Sequence, residues 1–282
     1  MRERGTNEGD EEVRQRARRR FLLAAAGILA SPALAARGAG LMNAEGKKVT
    51  KGRGAGDVNS AREGRARSRP AAVKEAAPKG LVRTLTIEGG RDALLYVPAT
   101  YRADAPAPLA LMLHGAGGTA AQGLALVRDF ADAANLILLA PQSQGSSWDA
   151  IRGDFGPDVL AIDRVLEQTF TLYSIDPARL AVGGFSDGAS YALSLGMTNG
   201  DLFTHVLAFS PGFAKPGKMQ GRPYLFFSHG TRDRVLPVER CSRLIVEQAR
   251  AGGYKVLYLE FDGTHTVPAL IAGEAVKWFL KT

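Results

Sequence analysis

Leu180-Ala181-Val182-Gly183-Gly184-Phe185-Ser186-Asp187-Gly188 is the stretch on which the fold reading turns. An apolar run ends in two glycines, a serine follows, and a helical pattern continues over about 187–198. Strands buried on both faces read as unbroken apolar runs, so 180–183 is expected inside a parallel sheet. The G-x-S-x-G string at 184–188 then makes a sharp strand-to-helix turn. Residues flanking the serine need almost no side chain there. The turn lifts the Ser186 hydroxyl above the sheet edge, at a helix N-terminus. In a chain with 33 glycines the string alone is a weak signal. Its setting and its companions give it weight.

Outward from this turn, similar apolar runs occupy 109–113, 136–139, 206–209, 224–227 and 256–261. Helical periods fall between most of them, over about 119–133, 157–172, 238–251 and 267–281. Ahead of them, 82–87 alternates and 93–97 is short and apolar, a pair able to form a hairpin across Glu88-Gly89-Gly90-Arg91. The order β-β-β-α-β-α-β-α-β-β-α-β-α predicts an α/β protein. Its sheet is doubly wound and mostly parallel, with an N-terminal hairpin. Connections are short, which argues against a large lid domain. This body spans 81–282.

Three further segments end strands and carry candidate chemistry. His114-Gly115-Ala116-Gly117-Gly118 is a Gly-rich turn that lets backbone N–H groups face a ligand. An oxyanion hole needs two such donors, and the N–H groups of Ala116 and Asp187 are the candidates. No G-K-[ST] follows, so a phosphate loop is disfavoured. His229-Gly230-Thr231-Arg232-Asp233 places a carboxylate at the next strand end but one after the serine's. Asp262-Gly263-Thr264-His265 ends the last strand. His265 is the candidate general base, and Asp233 the candidate acid that fixes its tautomer. Asp262 is a rival acid, on the same loop as His265 and awkward for reaching its ring. The chain order Ser…Asp…His differs from the trypsin-like and subtilisin-like orders. On the 141–149 loop Trp148 either walls a substrate pocket or packs under the loop. Gly115 and Phe213 are further candidate substrate contacts, and Phe155 a weaker one.

Composition narrows the alternatives. The 282 residues are 45% hydrophobic and 23% charged, ordinary for a globular protein. A single cysteine, Cys241, excludes a disulfide framework and Cys-cluster metal sites. Four histidines without an HExxH string give no support for a metal, and no organic cofactor is indicated. The net charge of +8 is uneven: +2 over 1–36, +7 over 37–80 and −1 over 81–282. The body is near neutral, so no nucleic-acid partner is expected.

Residues 1–36 read as an export signal. Arg18-Arg19-Arg20-Phe21-Leu22-Leu23 precedes an Ala/Leu/Gly run and an A-x-A site near Ala36. The paired arginines resemble a twin-arginine signal, with Ala17 where Ser or Thr is usual. That implies a periplasmic or secreted protein, with membrane contact only in transit. No cysteine follows the apolar run, so a lipid anchor is excluded. Residues 37–80 are basic, rich in Gly and Ala and without apolar periodicity, and are expected to be a disordered linker.

The four motifs together resemble a lidless serine esterase of the α/β-hydrolase superfamily. They are His114–Gly118, Gly184–Gly188, His229-Gly230-x-x-Asp233-x-Val235-x-Pro237 and Gly263-x-His265. The resemblance is nearest to the phospholipase/carboxylesterase group and its polyhydroxybutyrate-depolymerase and feruloyl-esterase-like relatives. It implies an α/β-hydrolase fold and hydrolysis of a small or oligomeric ester through Ser186, His265 and Asp233. Many relatives carry Gln, Ala or Met where this chain has Asp187, whose carboxylate is expected to turn along the helix N-terminus. Hydrolysis of a peptide, amide or thioester bond, or binding without catalysis, are the alternatives. Oligomeric state is not readable from the sequence.

Overall fold

The computed structural model describes residues 54–71, 73 and 78–282. The export signal read over 1–36, and the linker as far as residue 53, lie outside the described residues. Eight strands form one sheet: β1 Leu81–Leu85, β2 Ala93–Val97, β3 Ala107–Leu113, β4 Ile137–Pro141, β5 Ile175–Phe185, β6 His205–Phe209, β7 Tyr224–Gly230 and β8 Val256–Phe261. Their order across the sheet is β1-β2-β4-β3-β5-β6-β7-β8. β1 and β2 form the expected hairpin, β2 runs antiparallel to β4, and the rest are parallel.

The apolar runs are continuous because both faces are covered. Along β3, Leu109, Leu111 and Leu113 enter one hydrophobic layer while Ala110 and Met112 enter the other. β4 alternates in the same way, with Ile137 and Leu139 on one face and Leu138 and Ala140 on the other. Three helices cover the first face: α4 Pro157–Leu172, α5 Asp187–Thr198 and α6 Ser242–Ala251. The other is covered by α2 Ala120–Ala125 and α7 Ala269–Lys281. A short α3, Asp149–Arg152, and a 3-10 turn, Arg128–Phe130, complete the connections. No lid domain is inserted among the described residues. β8 is the exception to the buried-strand reading. It is an edge strand, and its residues are half-buried or exposed.

From β3 the chain steps outward to β4, then returns past β3 to β5 and proceeds the other way. The strand order therefore reverses between β3 and β5. A crevice opens at the carboxyl ends of strands at such a reversal. The glycine turn after β3 and the serine turn after β5 stand on its two sides.

The expectation of disorder over 37–80 fails for its described part. Helix α1, Gly54–Arg62, and the strap that follows it to residue 71 dock on the α4–α5 face. Ala61 and Ala66 are buried. Asn199, fully buried after α5, donates to Gly64 O at 2.6 Å and Leu195 O at 2.9 Å, and accepts from Ala66 N–H at 2.9 Å. Asp163 Oδ1 accepts the N–H groups of Arg67 and Ser68, each at 2.8 Å. Arg65 forms a two-pronged pair with Asp201, both contacts at 2.8 Å. Order here comes from polar partners about 100 residues away, which local composition cannot reveal. Asn199→Ala leaves two buried backbone groups, Gly64 O and Ala66 N–H, without this partner, while Leu195 O keeps the backbone N–H of residue 199. It is expected to lower unfolding stability by about 3 kcal/mol. Denaturant midpoints check this, and a change below about 0.5 kcal/mol would mean that the strap is not held through Asn199.

Candidate active site

Gly188 lets the serine turn sit against the glycine turn. A Cβ at Gly188 would lie 2.3 Å from Leu113 O and 2.5 Å from His114 O, so even alanine would collide with backbone. Between Gly184 and Gly188, Ser186 is held at φ 58° and ψ −121°, a conformation costly for a residue with a Cβ. The neighbouring structure enforces it. Ser186 N–H donates to Phe209 O at 3.0 Å, and Ser186 O accepts from Ala189 and Ser190 in the first turn of α5.

Ser186 Oγ lies 2.9 Å from His265 Nε2. His265 Nδ1 lies 2.5 Å from Asp233 Oδ2. The three groups come from the ends of β5, β8 and β7. Asp262 does not join them. Its carboxylate pairs with Arg232 at 2.8 Å, and both side chains are exposed. Burial opposes ionisation of Asp233, but donors outweigh it and hold its carboxyl below the ordinary carboxylate range. Its Oδ1 accepts the N–H groups of Leu236 at 2.8 Å and Val235 at 2.9 Å, and its Oδ2 faces His265.

His229 is a further contributor, to which the sequence reading assigned no role. It is fully buried, and burial lowers its pKa. Nε2 lies 2.7 Å from Leu236 O, an acceptor, so this nitrogen carries the proton. Nδ1 then accepts from Ser242 Oγ at 2.7 Å. The same Nε2 lies 3.2 Å from Asp233 Oδ2. His229 thus ties the carboxylate to α6 and to its own loop. A histidine four residues before the acid, at the end of an apolar run, was the available sequence signal.

Two N–H groups of the glycine turn are used within the protein. Gly117 N–H donates to Ser146 O at 2.7 Å and Gly118 N–H to Gly115 O at 3.0 Å. Among the described residues neither Ala116 N–H nor Asp187 N–H has a protein acceptor. Gly115 passes close beside the serine: a Cβ there would stand 3.5 Å from Ser186 Cβ, an ordinary contact. The Asp187 carboxylate turns aside to accept from Ser147 Oγ at 2.6 Å. The sequence expected this carboxylate along the helix N-terminus; its partner is instead the hydroxyl of the 141–149 loop.

Trp148 does not line a pocket. It is fully buried, its Nε1–H donates to His114 O at 2.9 Å, and its ring lies between His114 and Tyr191 at 4.8 and 5.3 Å. A buried indole N–H needs an acceptor, and this one is the backbone of the glycine turn. Phe155 is likewise structural, packed on Tyr191 and against Gly64 of the strap. Phe213 is 37% exposed, beside Gly212, which packs on Leu236. Among the described residues it makes no hydrogen bond or ring contact with the Ser186–His265–Asp233 line. Two carboxylates hold the Trp148 loop, Asp158 buried and Asp149 half-buried. Asp158 accepts from Gln144 N–H at 2.6 Å and Asp149 N–H at 2.7 Å, while Asp149 accepts from Asp158 N–H at 2.8 Å and Tyr191 Oη at 3.0 Å. Burial pushes Asp158 up to about 6.

Comparison with known proteins fits this geometry. Residues 158–250 match the phospholipase/carboxylesterase family model, a stretch that includes Ser186 and Asp233. A protein of Aspergillus oryzae described as a probable feruloyl esterase C is 27% identical over 192 residues, covering 61% of this chain. The chain spans 66% of that relative's length. A similar protein of Aspergillus niger is 26% identical over 220 residues, covering 62% of this chain and 76% of its own. Among solved structures, a thermostable esterase superposes with TM-score 0.58 at 24% identity, over 71% of this chain and 62% of that one. A ferulic acid esterase from the anaerobic fungus Anaeromyces mucronatus, in complex with ferulic acid, gives 0.53 at 19% identity, over 74% and 93%. The chain has the α/β-hydrolase fold, and its likeness runs to the phospholipase/carboxylesterase and feruloyl esterase proteins built on it.

Proposed function

We propose that this chain is an exported serine hydrolase of carboxylic esters. The observation that carries the reading is the unbroken contact line from Ser186 Oγ through His265 to Asp233, at 2.9 and 2.5 Å. Ser186 Oγ attacks the ester carbonyl carbon and passes its proton to His265 Nε2. Asp233 holds the imidazole with Nδ1 protonated and stabilises the imidazolium. The carbonyl oxygen, now an anion, takes the free N–H groups of Ala116 and Asp187. The carbon–oxygen bond to the alcohol breaks, and the imidazolium proton goes to the leaving oxygen. Water then repeats the sequence on the acyl-serine and releases the acid. His229 acts through Asp233 as a positioning residue. No step calls on a metal or an organic cofactor.

The export part rests on residues 1–36, with their Arg18-Arg19 pair and A-x-A site. A p-nitrophenyl ester series from acetate to decanoate, with a feruloyl ester, tests the chemistry. Turnover with stoichiometric fluorophosphonate labelling at Ser186 is expected. A folded protein with neither would instead be a binding protein on this fold.

A further inference from the structure

Beside His265 a cleft of about 420 Å³ opens between the α2–3-10 segment and the start of α7. Its walls include Leu126, Phe130, Phe185 and Val267, and Gln122 and Asp129 also line it. Such a volume is enough for a ring-sized group. The walls are fixed: Phe185 packs on the His265 ring at 4.5 Å, and Phe130 lodges against Gly273 of α7. We infer that this cleft receives the alcohol half of the ester, and that it selects a neutral or cationic alcohol with an apolar face over an anionic one.

The assignment deepens the esterase reading and rests on it. The leaving oxygen must collect its proton from His265 Nε2, so the alcohol it carries lies within a few ångströms of that ring. The cleft is bounded by His265 itself, whereas the oxyanion donors Ala116 and Asp187 are not among its walls. The acyl oxygen therefore points away from the cleft and the alcohol toward it. Charge then decides the class. Among the described residues Asp129 is exposed and has no hydrogen-bond or ion-pair partner, and no Lys or Arg lines the cleft. The neighbouring Arg128 is committed elsewhere. Its guanidinium lies 3.1 Å from Asp132 and 3.5 Å above the Tyr96 ring. An alcohol bearing phosphate, sulfonate or carboxylate would meet a carboxylate with no cation to offset it. A flat apolar alcohol would lie on Phe130 and Phe185, and a cationic substituent would face Asp129.

Acetate esters of three benzyl alcohols test this with one acyl group and one ring: unsubstituted, 4-trimethylammonio and 4-sulfonate. In the full chain, kcat/KM for the cationic ester is expected to exceed that for the sulfonate by about tenfold or more, a difference of about 1.4 kcal/mol. Asp129→Asn is expected to bring the ratio toward one, and Asp129→Lys to invert it. Phe130→Ala is expected to raise KM for all three benzyl esters relative to ethyl acetate. A ratio near one in the unaltered protein, or a ratio unmoved by Asp129→Lys, overturns the cleft assignment while leaving the esterase reading intact. Hydrolysis of none of the esters, with Ser186 unlabelled by fluorophosphonate, overturns both.

Discussion

Ser186→Ala is expected to lower kcat/KM for ester hydrolysis by about 10⁶-fold, with the unfolding midpoint nearly unchanged. The size follows from the line of contacts. Without Oγ there is no nucleophile, and His265 Nε2 has nothing to deprotonate. Catalytic serines that act as one unit with their histidine lose about this much when removed. What remains, about 10³ over the uncatalysed rate, would come from the Ala116 and Asp187 donors and from binding. Stability should hold because the Ser186 hydroxyl has one partner, His265, and no role in the core. Alanine also keeps the same Cβ at φ 58°. Steady-state turnover of a p-nitrophenyl ester, read beside a denaturant curve, checks both halves. Turnover within tenfold of the unaltered protein would place the chemistry elsewhere.

Asp233→Asn is expected to cost about 10⁴-fold in kcat/KM. The hydrogen bonds explain why a near-isosteric change does so much. Oδ1 accepts two backbone N–H groups, from Val235 and Leu236. An asparagine must keep its oxygen there and put its NH₂ where Oδ2 now stands. That NH₂ would face His265 Nδ1 and the protonated Nε2 of His229. His265 could satisfy it only by moving its own proton to Nε2, which then points a hydrogen at Ser186 and is no longer a base. Asp262→Asn is the contrast, expected within about twofold of the unaltered rate. Its carboxylate is exposed and paired with Arg232. Equal losses in the two variants would remove Asp233 from its assigned role.

Much of the fold is legible in the sequence because its strands are buried twice. Leu109 to Leu113 could be read as one run because alternate residues serve opposite hydrophobic layers. The serine turn is legible because backbone crowding at Gly188 admits no side chain. What escaped depends on distant partners. The strap over 54–71 looks like a solvated tether until Asp163, Asn199 and Asp201 are brought beneath it. Trp148 carries the same residue type whether it walls a pocket or fills a core, and only the position of His114 O decides. The cleft beside His265 is built by three segments separated by more than fifty residues each, so no local pattern marks it.

The way Trp148 is held also gives the protein an optical readout of its own. The chain has two tryptophans. Trp278 sits half-buried on α7, with Phe226 and His205 for neighbours. Trp148 is dry, stacked, and hydrogen-bonded to the backbone of the turn that offers Ala116 N–H. Its emission is expected to be that of a buried indole, and loosening of the glycine turn is expected to shift it. A Trp278→Phe protein would carry a single tryptophan, bonded to the loop that offers Ala116 N–H, with no label added.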